Sequence, residues 1–227
     1  MIPYKDLTPS RSIPIVTLLL IISNVAVFIY QMTLPRSQAI EFLYQYAAIP
    51  LEFKMGHNLS LSMGPHPVLN ILTASFLHGG LLHLIGNMMY LWIFGDNIED
   101  RLGKIRFVVF YLLCGSLSIL IQVYADFNSK IPIVGASGAI AGVLGAYLRL
   151  FPRGKIVVLI PIFYFLRRAI LPAWVVLGGW ILIQILSIQL SPLQPLGGVA
   201  YYAHIGGFLM GLILLPAFSP SRVKRRK

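Results

Sequence analysis

The sequence predicts an all-α polytopic membrane protein, a bundle of six transmembrane helices. Three observations lead there. Of 227 residues, 57% are hydrophobic and only 11% charged, with a mean hydropathy of +0.80. A soluble domain carries about a quarter charged residues, so this chain lacks the polar groups to cover itself in water. Its apolar residues gather in runs close to the roughly 20 that cross a bilayer. Its basic residues cluster between alternate runs.

The elements follow in order. Residues 1–11 read as a cytoplasmic tail carrying Lys5 and Arg11. The first span, 12–31, is too long for a signal-peptide core and has no A-x-A site, so it reads as a membrane helix. The connection 32–77 is long and holds "YQYAAIPLEF" and "HPVLNILTASFLHGG". That mixture of aromatics and aliphatics suits an amphipathic segment in the outer interface. Further spans fall near 78–95, 105–124, 136–151, 170–189 and 200–218, the fourth short and rich in Gly and Ala. The run 156–166, "IVVLIPIFYFL", is too short to cross; Pro161, Arg167 and Arg168 favour an interfacial segment. Residues 12–218 thus form the membrane domain and 219–227 a basic cytoplasmic tail.

Charge tests the order. Basic residues precede span one, then lie between spans two and three, between four and five, and after six. The other connections hold only Arg36, Lys54 and Lys130. Both termini are therefore expected in the cytoplasm. The net charge of +11 does not indicate nucleic acid, because no continuous basic stripe with interleaved aromatics exists. Basic groups beside apolar spans suit membrane lipids with anionic headgroups. The single cysteine, Cys114, rules out an intrachain disulfide and reads as a packing residue.

Polar groups inside a span are costly and commonly functional. Span two carries "HLIGN", placing His83 and Asn87 at i, i+4 on one helical face. Span four opens on "VGASGAIAG" with Ser137, and span six on "AHIGGFLMG" with His204. All three spans run from outside to inside, which sets these groups at similar depth. Gly138 with Gly142, and Gly207 with Gly211, have the i, i+4 spacing that lets helices approach closely. Close approach of spans four and six would bring His204 to Ser137 as a general base. His83, Asn87 and the Ser137 amide could hold an oxyanion. No Asp or Glu precedes the cytoplasmic ends of these spans, so the pair would be a dyad.

Taken singly, each motif also has a plain packing reading. The small-residue run could be helix packing, and "HLIGN" an interhelical contact. Glu99, Asp100 and Arg101 read as a capping and salt-bridge cluster at a cytoplasmic helix end. His78 reads as a hydrogen-bonder in a loop or at a helix start, and His57 and His66 as solvated loop residues. The motif H-E-x-x-H is absent, so metal chemistry is not indicated.

In combination, "HLIGN", "GASG" and "AHIGGFLMG", in that order and spacing, resemble the rhomboid family of intramembrane serine proteases. "FGDNIEDRLG" and "LPAWVVLGGWILIQ" are similar to the turn after the second helix and to the fifth helix of such proteins. The resemblance implies Ser137 as nucleophile, His204 as base, and His83, Asn87 and the Ser137 amide at the oxyanion. Gly135 and Gly138 would shape the turn, Gly142, Gly207 and Gly211 the helix packing, and Glu99 the cytoplasmic end of span two. It implies a hydrolase that needs no cofactor, metal or nucleotide. Single-pass membrane proteins would be its substrates, cut in or near their transmembrane segment. It would sit in a cell membrane with the site open to the outer face. Two departures stand out: the first outer loop has no Trp for the Trp-Arg pair common in the family, and Ala141 replaces an aromatic often found four residues after the serine. A client-binding relative without catalysis and a small transporter are the other classes. Retention of both Ser137 and His204 speaks against the first, and the lack of an inverted repeat against the second.

Overall fold

A computed structural model describes residues 1–59, 66–162, 165–190 and 198–219. Strand β1 (Ile2–Asp6) leads into helix α1 (Ile15–Thr33). The long connection that follows folds into three short helices, α2 (Arg36–Tyr46), α3 (Pro50–Met55) and α4 (Pro67–Thr73), and a 3-10 turn at Ala74–Phe76. Then come α5 (Leu81–Leu102), α6 (Lys104–Ala125) and α7 (Ser137–Leu150), strands β2 (Lys155–Ile162) and β3 (Phe165–Pro172), and helices α8 (Ala173–Leu190) and α9 (Tyr201–Phe218). Each of the six apolar runs forms a helix. Among the described residues, three are long and apolar enough to cross a membrane alone: Ile15–Thr33, Lys104–Ala125 and Tyr201–Phe218. Pro67–Phe76 and Leu81–Leu102 form a pair bent by 81°. The second helix begins later than the sequence suggests and continues past residue 95 to Leu102, because Asn97 and Glu99 find buried places inside the bundle.

Helix α7 is the axis of the bundle. Every residue from Gly138 to Tyr147 is buried. Small side chains make this possible, since α5, α6 and α9 all pack directly on it. The turn between α5 and α6 needs a single residue, Gly103, at φ +80°, a left-handed conformation that glycine adopts without steric cost.

The small β-sheet is not anticipated by an all-α reading. Residues 1–11 read as a tail and 156–166 as an interfacial segment; instead Ile2–Asp6 pairs antiparallel with β2, and β2 with β3. The register sets Asp6 opposite Ile156 and Lys155 opposite Pro172. Ile156, Val157 and Val158 are fully buried. The physical reason is backbone satisfaction. A β-branched run too short to span must still pair its N–H and C=O groups once buried, and strand partners on both sides do this. The C-terminal tail, 220–227, lies outside the described residues.

At the sheet end of the bundle, Pro14 stands at the N-cap of α1 and offers no side-chain cap. Glu99 of α5 takes that role. Its carboxylate accepts from Val16 N (3.0 Å), Thr17 N (2.8 Å) and Thr17 Oγ1 (2.9 Å). Four first-turn N–H groups of any helix lack intrahelical partners, and an anion there also meets the positive end of the helix dipole.

Candidate active site

Ser137 is the first residue of α7, directly after the Ala136 N-cap. The chain reaches it through Gly135, whose φ of +117° favours glycine. Its N–H donates to Ala74 O across 2.8 Å, fixing the approach. A Cβ at this position would lie 2.7 Å from His83 Cε1 and 2.8 Å from Nε2. Glycine is therefore required here twice, by the backbone and by the imidazole pressed against it.

Helices α7 and α9 meet backbone to backbone. A Cβ on Gly207 would stand 2.9 Å from the Gly138 carbonyl carbon, and one on Gly211 would stand 2.8 Å from Gly142 Cα. One on Gly142 would lie 2.7 Å from Cys114 Sγ and 3.3 Å from Gly207 O. The four glycines of the two i, i+4 pairs thus face one another. The start of α9 is tied to α6, where Gln122 Oε1 accepts from Ala203 N at 3.1 Å.

This packing leaves His204 Nε2 2.8 Å from Ser137 Oγ. Both residues are half-buried. With Nε2 as acceptor, the serine O–H points into the lone pair that could take its proton. The other ring nitrogen, Nδ1, lies 2.7 Å from Gln184 Oε1 on α8. The Trp180 ring lies 5.8 Å from the imidazole, tilted 35°. Ala141 offers no ring on α7, and the aromatic neighbour comes from α8 instead.

Beside Gly135, two residues before the serine, stand His83 and Asn87 of α5. A Cβ at Gly135 would lie 3.6 Å from Asn87 Nδ2, so both side chains border the same small space. Asn87 is buried, and its Nδ2 donates to His78 Nε2 at 2.9 Å. An amide nitrogen carries two hydrogens, so the bond to His78 orients the group and uses one of them. His78 itself sits just before α5, clamped to α1. Its N–H donates to Gln31 Oε1 and its carbonyl accepts from Gln31 Nε2, each at 3.3 Å. Glu99 lies three turns along α5 from Asn87, at the opposite end of the bundle.

Thus Ser137, His204, His83, Asn87 and Gly135 come together, with the other glycines in the α7–α9 seam behind them. Gln184, Trp180, Gln122 and the His78–Asn87 contact are additions from the tertiary structure. Two of these had a signal. Gln122 and Gln184 are amides set in largely apolar runs, the same kind of outlier that marks His204.

The fold and this cluster define a class: a helical membrane bundle with a hydrogen-bonded Ser–His pair between two glycine-seamed helices. A Rhomboid domain family model matches residues 65–221. The chain belongs to the rhomboid family. It is similar to RHOMBOID-like protein 1 of Arabidopsis thaliana, 28% identical over 219 residues, covering 86% of this chain and 51% of the relative. RHOMBOID-like protein 4 of the same plant is 34% identical over 150 residues, 63% of this chain and 32% of the relative. Rhomboid protein 1, mitochondrial, of Saccharomyces cerevisiae is 32% identical over 152 residues, 64% of this chain and 40% of the relative. The matched stretch therefore spans about half or less of the length of these relatives.

Proposed function

We propose that this rhomboid-family chain is an intramembrane serine endopeptidase, cleaving single-pass membrane proteins within or near their transmembrane segment. The observation that carries the reading is the 2.8 Å contact between His204 Nε2 and Ser137 Oγ. Serine is a poor nucleophile until a base accepts its proton. His204 takes that proton as Oγ attacks the scissile carbonyl. The oxyanion that forms is held by the Ser137 N–H at the head of α7, by the free Asn87 N–H and by the His83 ring N–H. His204 returns the proton to the leaving amine, which departs. Water then repeats the sequence on the Ser137 acyl ester and frees the enzyme.

Helix length supports access for that water. Fourteen residues of α7 rise about 21 Å, short of the roughly 30 Å hydrocarbon layer. With the foot of α7 at the sheet, its Ser137 head falls inside the membrane, below the outer surface. A polar cavity open to the outer face would supply water there. The charge bias supports a multi-pass cell-membrane protein with both termini cytoplasmic and basic groups against anionic lipids. The location in the yeast relative's name belongs to that protein.

The test is fluorophosphonate labelling of purified protein beside Ser137→Ala and His204→Ala, followed by cleavage of a fluorescent single-pass substrate in proteoliposomes. Wild type is expected to label and cleave, and both variants to do neither. Equal labelling of all three would sink the assignment of these residues. A folded wild type that neither labels nor cleaves would make the chain a client-binding relative without catalysis.

A further inference from the structure

The chain has seven acidic residues: Asp6, Glu41, Glu52, Asp96, Glu99, Asp100 and Asp126. They lie in β1, in the connections, or toward the sheet end of α5, and the His204 ring is bonded to an amide instead. Gln184 Oε1 sits 2.7 Å from Nδ1 while Ser137 Oγ sits 2.8 Å from Nε2. The two contacts lie on opposite sides of one ring. Gln184 is turned inward and buried, whereas Leu182, Ile183, Ile185 and Leu186 around it are exposed. An amide turned inward from a largely apolar helix has an interior partner, and here that partner is the imidazole.

We infer that Gln184 is the positioning residue for His204, holding the imidazole in the tautomer with its proton on Nδ1. This rests on the endopeptidase reading above. A neutral imidazole has one N–H and one lone pair. Only the Nδ1–H form offers Nε2 to the serine proton. The amide oxygen can only accept, so it selects that form and fixes the ring plane. In the other tautomer Nε2–H would point at Ser137 and could not act as base. Trp180, one turn before Gln184 and on the same helical face, lies against the same ring. α8 therefore supplies both the hydrogen-bond acceptor and the aromatic neighbour, with Ala141 supplying neither. An amide does this without burying a formal charge inside the bundle.

The test compares wild type, Gln184→Met and Gln184→Glu as full chains in proteoliposomes with the fluorescent substrate, with thermal midpoints as the folding control. Gln184→Met keeps length and removes the acceptor. It is expected to lower kcat by about 10- to 100-fold and leave KM within about twofold, with fluorophosphonate labelling slowed in parallel. Gln184→Glu keeps an acceptor oxygen at the same reach and is expected to retain most of kcat. Gln184→Asn, one methylene shorter, is expected to reproduce the loss, and decides the matter if the Met variant fails to fold. Retention of wild-type kcat in the Met or Asn variant would overturn the inference while leaving the protease reading intact. Equal loss in the Met and Glu variants would overturn it as well. A wild type inert toward probe and substrate would overturn both.

Discussion

The Tyr147 hydroxyl donates to Asp6 Oδ2 across 2.7 Å, joining side chains 141 residues apart. Thr8 Oγ1 lies 2.7 Å from the same hydroxyl. Tyr147 stands at the foot of the helix that carries Ser137 at its head, so the N-terminal strand is latched to the serine helix. Burial raises the Asp6 carboxyl above its ordinary 3.8, the nearby Asp96 adds to this, and the bonds from Tyr147 and Thr8 oppose it.

That shift has a sign. A carboxyl whose native pKa is raised binds its proton more tightly folded than unfolded. Its contribution to stability is complete below the ordinary value and is lost as pH rises through the raised one. Asp6→Asn removes this titration while keeping an oxygen for the Tyr147 O–H. The thermal midpoint of Asp6→Asn relative to wild type should therefore rise with pH from about 4 toward 7. A difference that stays flat over the window would remove Asp6 from the pH response.

Glu99 should be a stability residue, since its contacts lie away from the Ser137–His204 cluster. It is buried and bonds three donors at the start of α1. Glu99→Ala strands them and is expected to cost about 2–4 kcal/mol. Glu99→Gln keeps one acceptor and should cost less. Unfolding midpoints in detergent check the order, and residual folded protein should still label at Ser137.

Gly211 should couple packing to chemistry. A methyl there would stand 2.8 Å from Gly142 Cα, closer than atoms tolerate. Gly211→Ala must push α9 from α7, and His204 moves with α9. A loss of about 1–3 kcal/mol is expected with a fall in labelling rate. A midpoint change with unaltered labelling would mean that the seam can open without shifting the histidine.

Asn87 and His83 should act on the transition state. Asn87→Ala removes one oxyanion donor, and the expected loss is about 100- to 1,000-fold in kcat with little change in KM. His78→Ala, which removes the ring that bonds Asn87 and packs edge-on against His83, should produce a smaller loss in the same direction. Steady-state kinetics on the fluorescent substrate separate the two. An unchanged kcat in Asn87→Ala would take Asn87 out of the oxyanion site.

Much of this molecule is legible in its sequence because a membrane makes local composition decisive. An apolar run long enough to span must satisfy its backbone polar groups there, and a helix does so within the one segment. For the same reason Ser137, His83, Asn87 and His204 stand out, each a polar group in an apolar run, and the glycines at i, i+4 mark where two helices can touch. Tertiary structure decided what depends on distant partners. Whether "IVVLIPI" pairs as a strand turns on Ile2–Asp6, 150 residues or more away. Which donors Glu99 caps turns on Pro14 leaving the α1 terminus open. That Gln184 serves His204 turns on α8 lying against α9, and no periodicity records it. Local sequence determines the helical runs and their polar outliers, because those follow from each segment's own solvation. The pairing of outliers is set only when helices pack, because hydrogen bonds between segments depend on geometry that no single segment contains.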